Sequence, residues 1–387
     1  MSALLLVYWF AILISFFVVG CMVGAFLYAP LREKIQEVAR AIGRRDLSLA
    51  RILGNPVIQP GRHPWRAEAV FNPAAVVQGG RTHLVYRSVG SDGVSRLGYA
   101  SSPNGFVFDD QFPYPIYAAI NPRTGEEERR YSPAMYPSGG SWGGCEDPRM
   151  VEIDGRIYIT FNMFDSWDSI RITCTSISTK DFFSKRFHNL TSPQFLSGPG
   201  ERHKNWVLFP EKIDGRFAIL HSISPKIEIE YRDSIDNIGI TEPFVESWNG
   251  ARCDVHARDD YWDSFVRGAG PPPLRTPKGW LLFYHANDKL ERHRYKLGAM
   301  LLDLDDPTNV LYRSSNPILE PDEQYENDGK PGIVFACGAT IKDDLLYVYY
   351  GGADKVICVA FAPLADFLRA LMKSEHAPLL SRPLSTA

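Results

Sequence analysis

At 387 residues the chain is long enough for one large domain or two ordinary ones, and its 45% hydrophobic and 22% charged content excludes disordered and fibrous classes. The 18 Tyr, 22 Phe and 8 Trp lean towards β structure and aromatic-lined pockets. A formal net charge of -3 supplies no basic field for nucleic acid. The six cysteines (Cys21, Cys145, Cys174, Cys253, Cys337, Cys358) form neither a C-x-x-C pair nor a zinc-type spacing with His, so no metal is expected and a reducing compartment suits the scattered thiols.

Residues 1–31, "MSALLLVYWFAILISFFVVGCMVGAFLYAPL", carry no charged side chain and are long enough to cross a bilayer, which predicts a transmembrane anchor with membrane lipid as its partner. Lipoprotein-type cleavage before Cys21 is the lesser alternative, because no Lys or Arg precedes the apolar run. Arg32, Lys34, Arg40, Arg44 and Arg45 follow at once and point to a single-pass protein whose soluble part is cytoplasmic. Within 32–54, Ile35, Val38 and Ile42 continue a helical period from Leu31. This stretch reads as a basic amphipathic stalk at the membrane surface or as a helix packed on the main domain.

The next elements recur. "GGRTHLVYR" (from 79), "DGRIYITFN" (154), "DGRFAILHS" (214), "KGWLLFYHA" (278) and "DDLLYVYYG" (343) each place a tight turn before an apolar, aromatic-rich strand. A second strand follows in "SRLGYASSPNGF", "IRITCTSISTKDFF", "YKLGAMLLDLDDP" and "VICVAFAPL". Near-constant spacing with room for about four short strands per unit predicts an all-β, five-bladed β-propeller over 55–370, preceded by the transmembrane helix and stalk and followed by a tail, 371–387. A two-domain β-sandwich is the competing architecture and leaves the five similar units unexplained.

Polar residues close the repeated strands at Arg87, Asn162, His221 and His285, and such positions meet on a propeller axis. The sharpest stretch is "GGCEDPRM" (143–150). Asp147 is the candidate acid, held by Pro148 in an extended conformation in the loop entering the strand, or else an acid capping a turn and pairing with Arg149. Glu146 would orient sugar hydroxyls. Hydrolysis with inversion needs two carboxylates, whereas phosphorolysis needs one acid and cations to hold phosphate. Glu146, Glu211 and Asp354 are the available second carboxylates. Arg171, Arg186, Lys204 and His221 are candidate cations, each alone also readable as an ordinary surface charge. "RGAGPPPLRTPKGW" (267–280) lacks dinucleotide-loop spacing and reads as a rigid wall near the funnel.

Together "NPVIQP", "AEAVFNPAAV", "LVYRSVG", "GGCEDPRM", "VLFPEKIDGRFAILH", "RGAGPPPL", "GWLLFYH", "NPILEP" and "YVYYGGADKVICVA" resemble, in order over residues 55–361, glycoside hydrolase family 130, the mannoside phosphorylases and related mannosidases. The resemblance implies phosphorolysis of a β-linked mannoside to α-mannose 1-phosphate with inorganic phosphate as co-substrate and no cofactor. Inverting hydrolysis and a silent carbohydrate-binding propeller are the alternatives. It implies Asp147 as general acid, Arg171, Arg186, Lys204 and His221 around phosphate, and Asn72, Arg87 and Asp354 around mannose; Glu146, beside the acid, and His285, from its strand-end position, are added as substrate contacts. Ser222 and Arg267 depart from the Arg and Lys often found there, and an anchor is unusual. The acceptor sugar, the linkage and the oligomeric state, self-association included, stay open.

Overall fold

A computed structural model describes residues 47–118, 144–166, 169–198, 203–224, 226–235 and 261–374. A two-residue strand, β1 (Ala50–Arg51), opens the described chain. The first blade holds β2 (Ala69–Gln78), β3 (Arg81–Val89) and β4 (Ser95–Ser102) with short strands β5 (Asp110–Gln111) and β6 (Tyr117–Ala118) at its edge. The second is β7 (Cys145–Ile153), β8 (Arg156–Ser166), β9 (Ser169–Ser178) and β10 (Gln194–Phe195). The third is β11 (Val207–Leu208), β12 (Phe217–Ser222) and β13 (Glu228–Arg232). The fourth is β14 (Phe265–Ala269), β15 (Leu274–Thr276), β16 (Gly279–Asn287), β17 (Lys296–Leu302) and β18 (Val310–Arg313). The fifth is β19 (Val334–Lys342), β20 (Leu345–Gly352) and β21 (Val356–Pro363), with β1 as its outer strand. The expected five-bladed all-β propeller is present.

Each repeated sequence unit is the second strand of its blade. The preceding turns explain why: Gly79-Gly80, Asp154-Gly155, Asp214-Gly215 and Asp343-Asp344 all have two successive positive φ angles, the backbone of the hairpin turn whose twist matches its strands. The core lies between blades. One cluster joins Val85 and Tyr99 to Met150 and Ile159, the next joins Tyr158 and Leu208, the third Leu220 and Leu282, the fourth Phe283 and Val348, and the fifth returns from Tyr347 and Phe361 to Leu84 and Tyr86. Each such fully buried side chain contributes about 1.5–3 kcal/mol, so the ring is held by its blade contacts.

The ring is closed by both ends of the described chain. Ala50 pairs with Phe361 and Arg51 with Ala360, so sheet begins inside the stretch expected as linker up to residue 54. The Arg51 guanidinium reinforces this closure with bonds of 2.8 and 2.9 Å to both oxygens of buried Glu326, which also accepts from Tyr350 at 2.8 Å. A short helix, α1 (Thr179–Phe183), follows β9, and α2 (Leu364–Leu371) follows β21, burying Phe367, Leu368 and Leu371 in the core between the last two blades. Among the described residues no helix is long and apolar enough to cross a membrane; the expected anchor, most of the stalk and most of the tail lie outside the described residues.

Candidate active site

The innermost strands are interrupted where they reach the funnel. Register shifts fall between Phe71 and Ala74 in β2, Glu146 and Arg149 in β7, Val266 and Gly268 in β14, and Ala336 and Gly338 in β19; in the third blade the shift lies instead in the second strand, β12, between Leu220 and Ser222. A bulge adds a residue and re-aims the side chains around it. Asn72 and Asp147 occupy their bulges at φ 49 and 50, Asn205 stands just before β11 at φ 63, and Asp354 sits in the β20–β21 turn at φ 53. Asn and Asp tolerate this left-handed region better than other residues bearing a Cβ. All four line one cavity of about 250 Å³. The extended loop conformation expected for Asp147 is therefore corrected: it lies within β7, left-handed, because the bulge supplies the turn that a pre-proline residue cannot make in the right-handed helical region. Close packing fixes it further. A side chain at Gly351 would overlap Asn72 Oδ1.

Asp147 Oδ1 accepts from Asn72 Nδ2 at 2.7 Å and from Arg87 Nη1 at 3.2 Å. Arg87 Nη2 donates to Glu146 Oε1 at 3.1 Å, Nε to Ser95 Oγ at 3.1 Å, and the guanidinium lies 4.7 Å from the Phe71 ring centre. Lys204 Nζ reaches Glu146 Oε2 at 3.5 Å. Burial works to raise the Asp147 pKa, but Arg87, Arg149 and Lys204, with the Asn72 hydrogen bond, hold it at about 2. Across the same cavity Asp354 moves the other way: burial raises it, Asp147 adds to the rise, and Lys330 at 3.2 Å and Arg87 oppose it. The expected pairing of Asp147 with Arg149 takes a different form, since Arg149 Nη1 donates to the Asp147 main-chain oxygen at 2.6 Å.

A second cavity of about 140 Å³ adjoins the first through Lys204, Asn205 and Arg267, which border both, and is closed by His221, Ser222 and Gly268 among others. Burial lowers the His221 pKa, against the nearby carboxylates Glu228 and Glu230, and the ring packs 5.3 Å from that of Trp206. Burial thus favours the neutral imidazole of His221 at pH 7. A carboxyl group over one hollow and a Lys, an Arg and a His around its neighbour suit a neutral sugar beside a small anion.

Asn72, Arg87, Glu146, Asp147, Lys204 and Asp354 border the larger cavity and His221 the smaller. Arg171 lies near the start of β9, yet its guanidinium donates to Ser197 O at 2.9 and 3.2 Å and lies 3.5 Å from the Phe195 ring centre, and it borders neither cavity. Arg186 is corrected outright. It follows Ser178, the other end of β9, roughly 23 Å along the strand from Arg171, where its half-exposed side chain pairs with Asp181 at 3.4 Å. The two ends of a strand face opposite mouths of the ring, which separates Arg186 from the other candidate cations. His285 is also corrected as a direct contact: fully buried, it accepts from Ala336 N at 2.8 Å and stacks on Phe335, 4.0 Å between centres, behind the cavity wall that Phe335 forms. Glu211 stands on the surface paired with Arg275. Asn205, Tyr295, Lys330 and Phe335 were not foreseen; only Asn205 had a signal, as a turn-type residue opening the short β11. The wall expected at "RGAGPPP" is present, with Arg267 and Gly268 on the smaller cavity and Pro271–Pro273 buried.

The sequence profile of glycoside hydrolase family 130, described as beta-1,4-mannooligosaccharide phosphorylase, matches residues 51–373. A 1,2-beta-oligomannan phosphorylase of Thermoanaerobacter sp. (strain X514) is 36% identical over 335 residues, 83% of this chain and 99% of that protein. A beta-1,2-mannobiose phosphorylase of the same organism is 32% identical over 81% of this chain and 96% of that protein. Among solved structures, the beta-1,2-mannobiose phosphorylase from Listeria innocua shares the fold with a TM-score of 0.62 and 24% identity, over 84% of this chain and 99% of that one. The chain belongs to glycoside hydrolase family 130.

Proposed function

We propose that the protein cleaves β-mannosides by phosphorolysis, releasing α-mannose 1-phosphate with inversion and using inorganic phosphate as co-substrate without a cofactor. The observation that carries this reading is the pair of adjoining cavities, one containing the carboxyl of Asp147 and the other bounded by Lys204, His221 and Arg267. Phosphate oxygen attacks the anomeric carbon while the glycosidic bond breaks, and Asp147 gives its proton to the departing sugar oxygen. A pKa of about 2 leaves Asp147 ionised at neutral pH, so in this reading its proton arrives with the substrates. Dihydrogen phosphate carries one, and its negative charge beside Lys204 offsets part of the positive field on Asp147. Asn72, Arg87 and Asp354 hold the mannose. The preferred linkage is β-1,2, in keeping with the names of the two Thermoanaerobacter relatives.

The soluble part is tethered at the cytoplasmic face of a membrane through residues 1–31, on the strength of their lack of charge and of the basic residues that follow. Carbonate extraction and C-terminal reporter fusions test this; periplasmic-type reporter activity alone refutes the orientation. Inverting hydrolysis has one observation in its favour, the opposite pKa shifts of Asp147 and Asp354 in one cavity, a pattern that separates acid from base. A single assay decides between the two: β-1,2-mannobiose is incubated with and without phosphate, and mannose 1-phosphate and free mannose are measured. Phosphate-dependent mannose 1-phosphate supports phosphorolysis, and equal release of mannose without phosphate overturns it.

A further inference from the structure

We infer that Arg149 is the positioning residue that keeps the acid's bulge in register with the wall between the two cavities. Its side chain is buried and borders neither cavity, so it meets no substrate. Its nitrogens nevertheless bond two residues that line the cavities, Asp147 and Asn205, and the backbone of Gly270 beside Ala269 of the smaller one. Nη1 donates to the Asp147 carbonyl at 2.6 Å, Nη2 to Asn205 Oδ1 at 2.9 Å, and Nε to the Gly270 carbonyl at 3.3 Å, while the guanidinium carbon lies 5.8 Å from the Phe335 ring centre. From its own place in the second blade, one planar group therefore reaches the third, fourth and fifth.

The residues it reaches need holding. Asp147 and Asn205 both have left-handed backbones, which persist only where the surroundings over-determine them. Asn205 passes the constraint on: its Nδ2 donates to the Arg267 carbonyl at 2.8 Å, and a side chain at Gly268 would come within 3.0 Å of it. Asp147 in the sugar cavity, and Asn205 with Arg267 on the shared wall, are thus fixed by one fork. Lysine carries the same charge but cannot donate in three fixed directions. A shift of about 1 Å in such a site costs on the order of 100-fold in rate.

The inference rests on the phosphorolytic reading and is tested with the full chain, wild type first. If wild-type turnover does not depend on phosphate, that reading fails whatever the variants do. Given a phosphate-dependent wild type, Arg149→Lys is expected to keep its melting transition, lose on the order of 10- to 100-fold in kcat, and raise KM for phosphate several-fold. Combining it with Asn205→Ala is expected to add little to the phosphate KM, because both changes break one link. Wild-type kcat and phosphate KM in Arg149→Lys overturn the inference, as does a loss explained wholly by a smaller folded fraction. Should Arg149→Lys fail to fold, Asn205→Ala alone carries the test: it removes the Nη2 acceptor at a partly exposed position, and a phosphate KM and kcat both unchanged overturn the inference equally.

Discussion

Acidification should weaken the fold through His285 by an amount that can be separated from all other groups. The ring is fully buried, and burial together with Arg149 holds its pKa at about 3, Asp147 opposing. In the unfolded chain an imidazole titrates near 6.5. Between these values the unfolded state binds a proton that the folded state refuses, so stability is complete above about pH 6.5 and declines as pH falls towards 3. From pH 7.5 to 5.5 the loss through this one residue is roughly 1 to 1.5 kcal/mol, set by the unfolded pKa as long as the folded one lies well below 5.5. His83 and His221 are lowered by burial as well, so the whole protein loses more. His285→Gln isolates the share, since its Oε1 can accept from Ala336 N–H in place of Nε2. Urea unfolding of both proteins at the two pH values gives the comparison. The variant should start less stable, having lost the stack on Phe335, but should fall less steeply by that margin. Parallel declines in the two proteins would refute the burial of a neutral imidazole.

Asp147→Asn should keep the fold and lower turnover on an unactivated mannoside at least about a hundredfold, read by mannose 1-phosphate release. Gly351→Ala should push Asn72 off Asp147 and cut kcat on the order of 10-fold, the worth of one hydrogen bond to a charged group, with the activity loss larger than any fall in the unfolding midpoint accounts for. Arg186→Ala should leave KM for phosphate unchanged, whereas His221→Ala should raise it; titrating phosphate in both separates the surface cation from the pocket one. Arg51→Met leaves Glu326 buried without its cation and should cost about 3–5 kcal/mol, measured by denaturant unfolding.

The second strands of the blades were legible because each follows a turn whose residues announce positive φ, as in Asp154-Gly155 and Asp214-Gly215, and carries an apolar run that needs covering on both faces. The innermost strands were harder. Asp147-Pro148 reads as an extended loop dipeptide, and nothing local says that the surrounding strand continues through it, or through Asn72-Pro73, as a bulge; that depends on pairing with β3 and β8. Asp147 was within reach through the Glu-Asp-Pro-Arg stretch, His221 as the polar end of a repeated strand, and Lys204 as one of several cations and through the family resemblance. Arg186 was not distinguishable from them until the strand direction placed it at the other mouth, and Phe335 or Lys330 enters the cavity only because a ring brings the fifth blade beside the first.

The closure of that ring has a consequence for the order of events during synthesis. Ala50 and Arg51 leave the ribosome about 310 residues before their partners Phe361 and Ala360, in the last strand of the fifth blade. Until then β1 has no strand to pair with, and the apolar face that Leu84 and Tyr86 of the first blade turn towards Tyr347 and Phe361 has no cover. The first four blades can gather contacts as they appear, since each packs on its predecessor. The seam cannot. A truncated or slowly translated chain therefore exposes one defined apolar edge, and chaperone occupancy during translation should persist until residue 361 has cleared the exit tunnel.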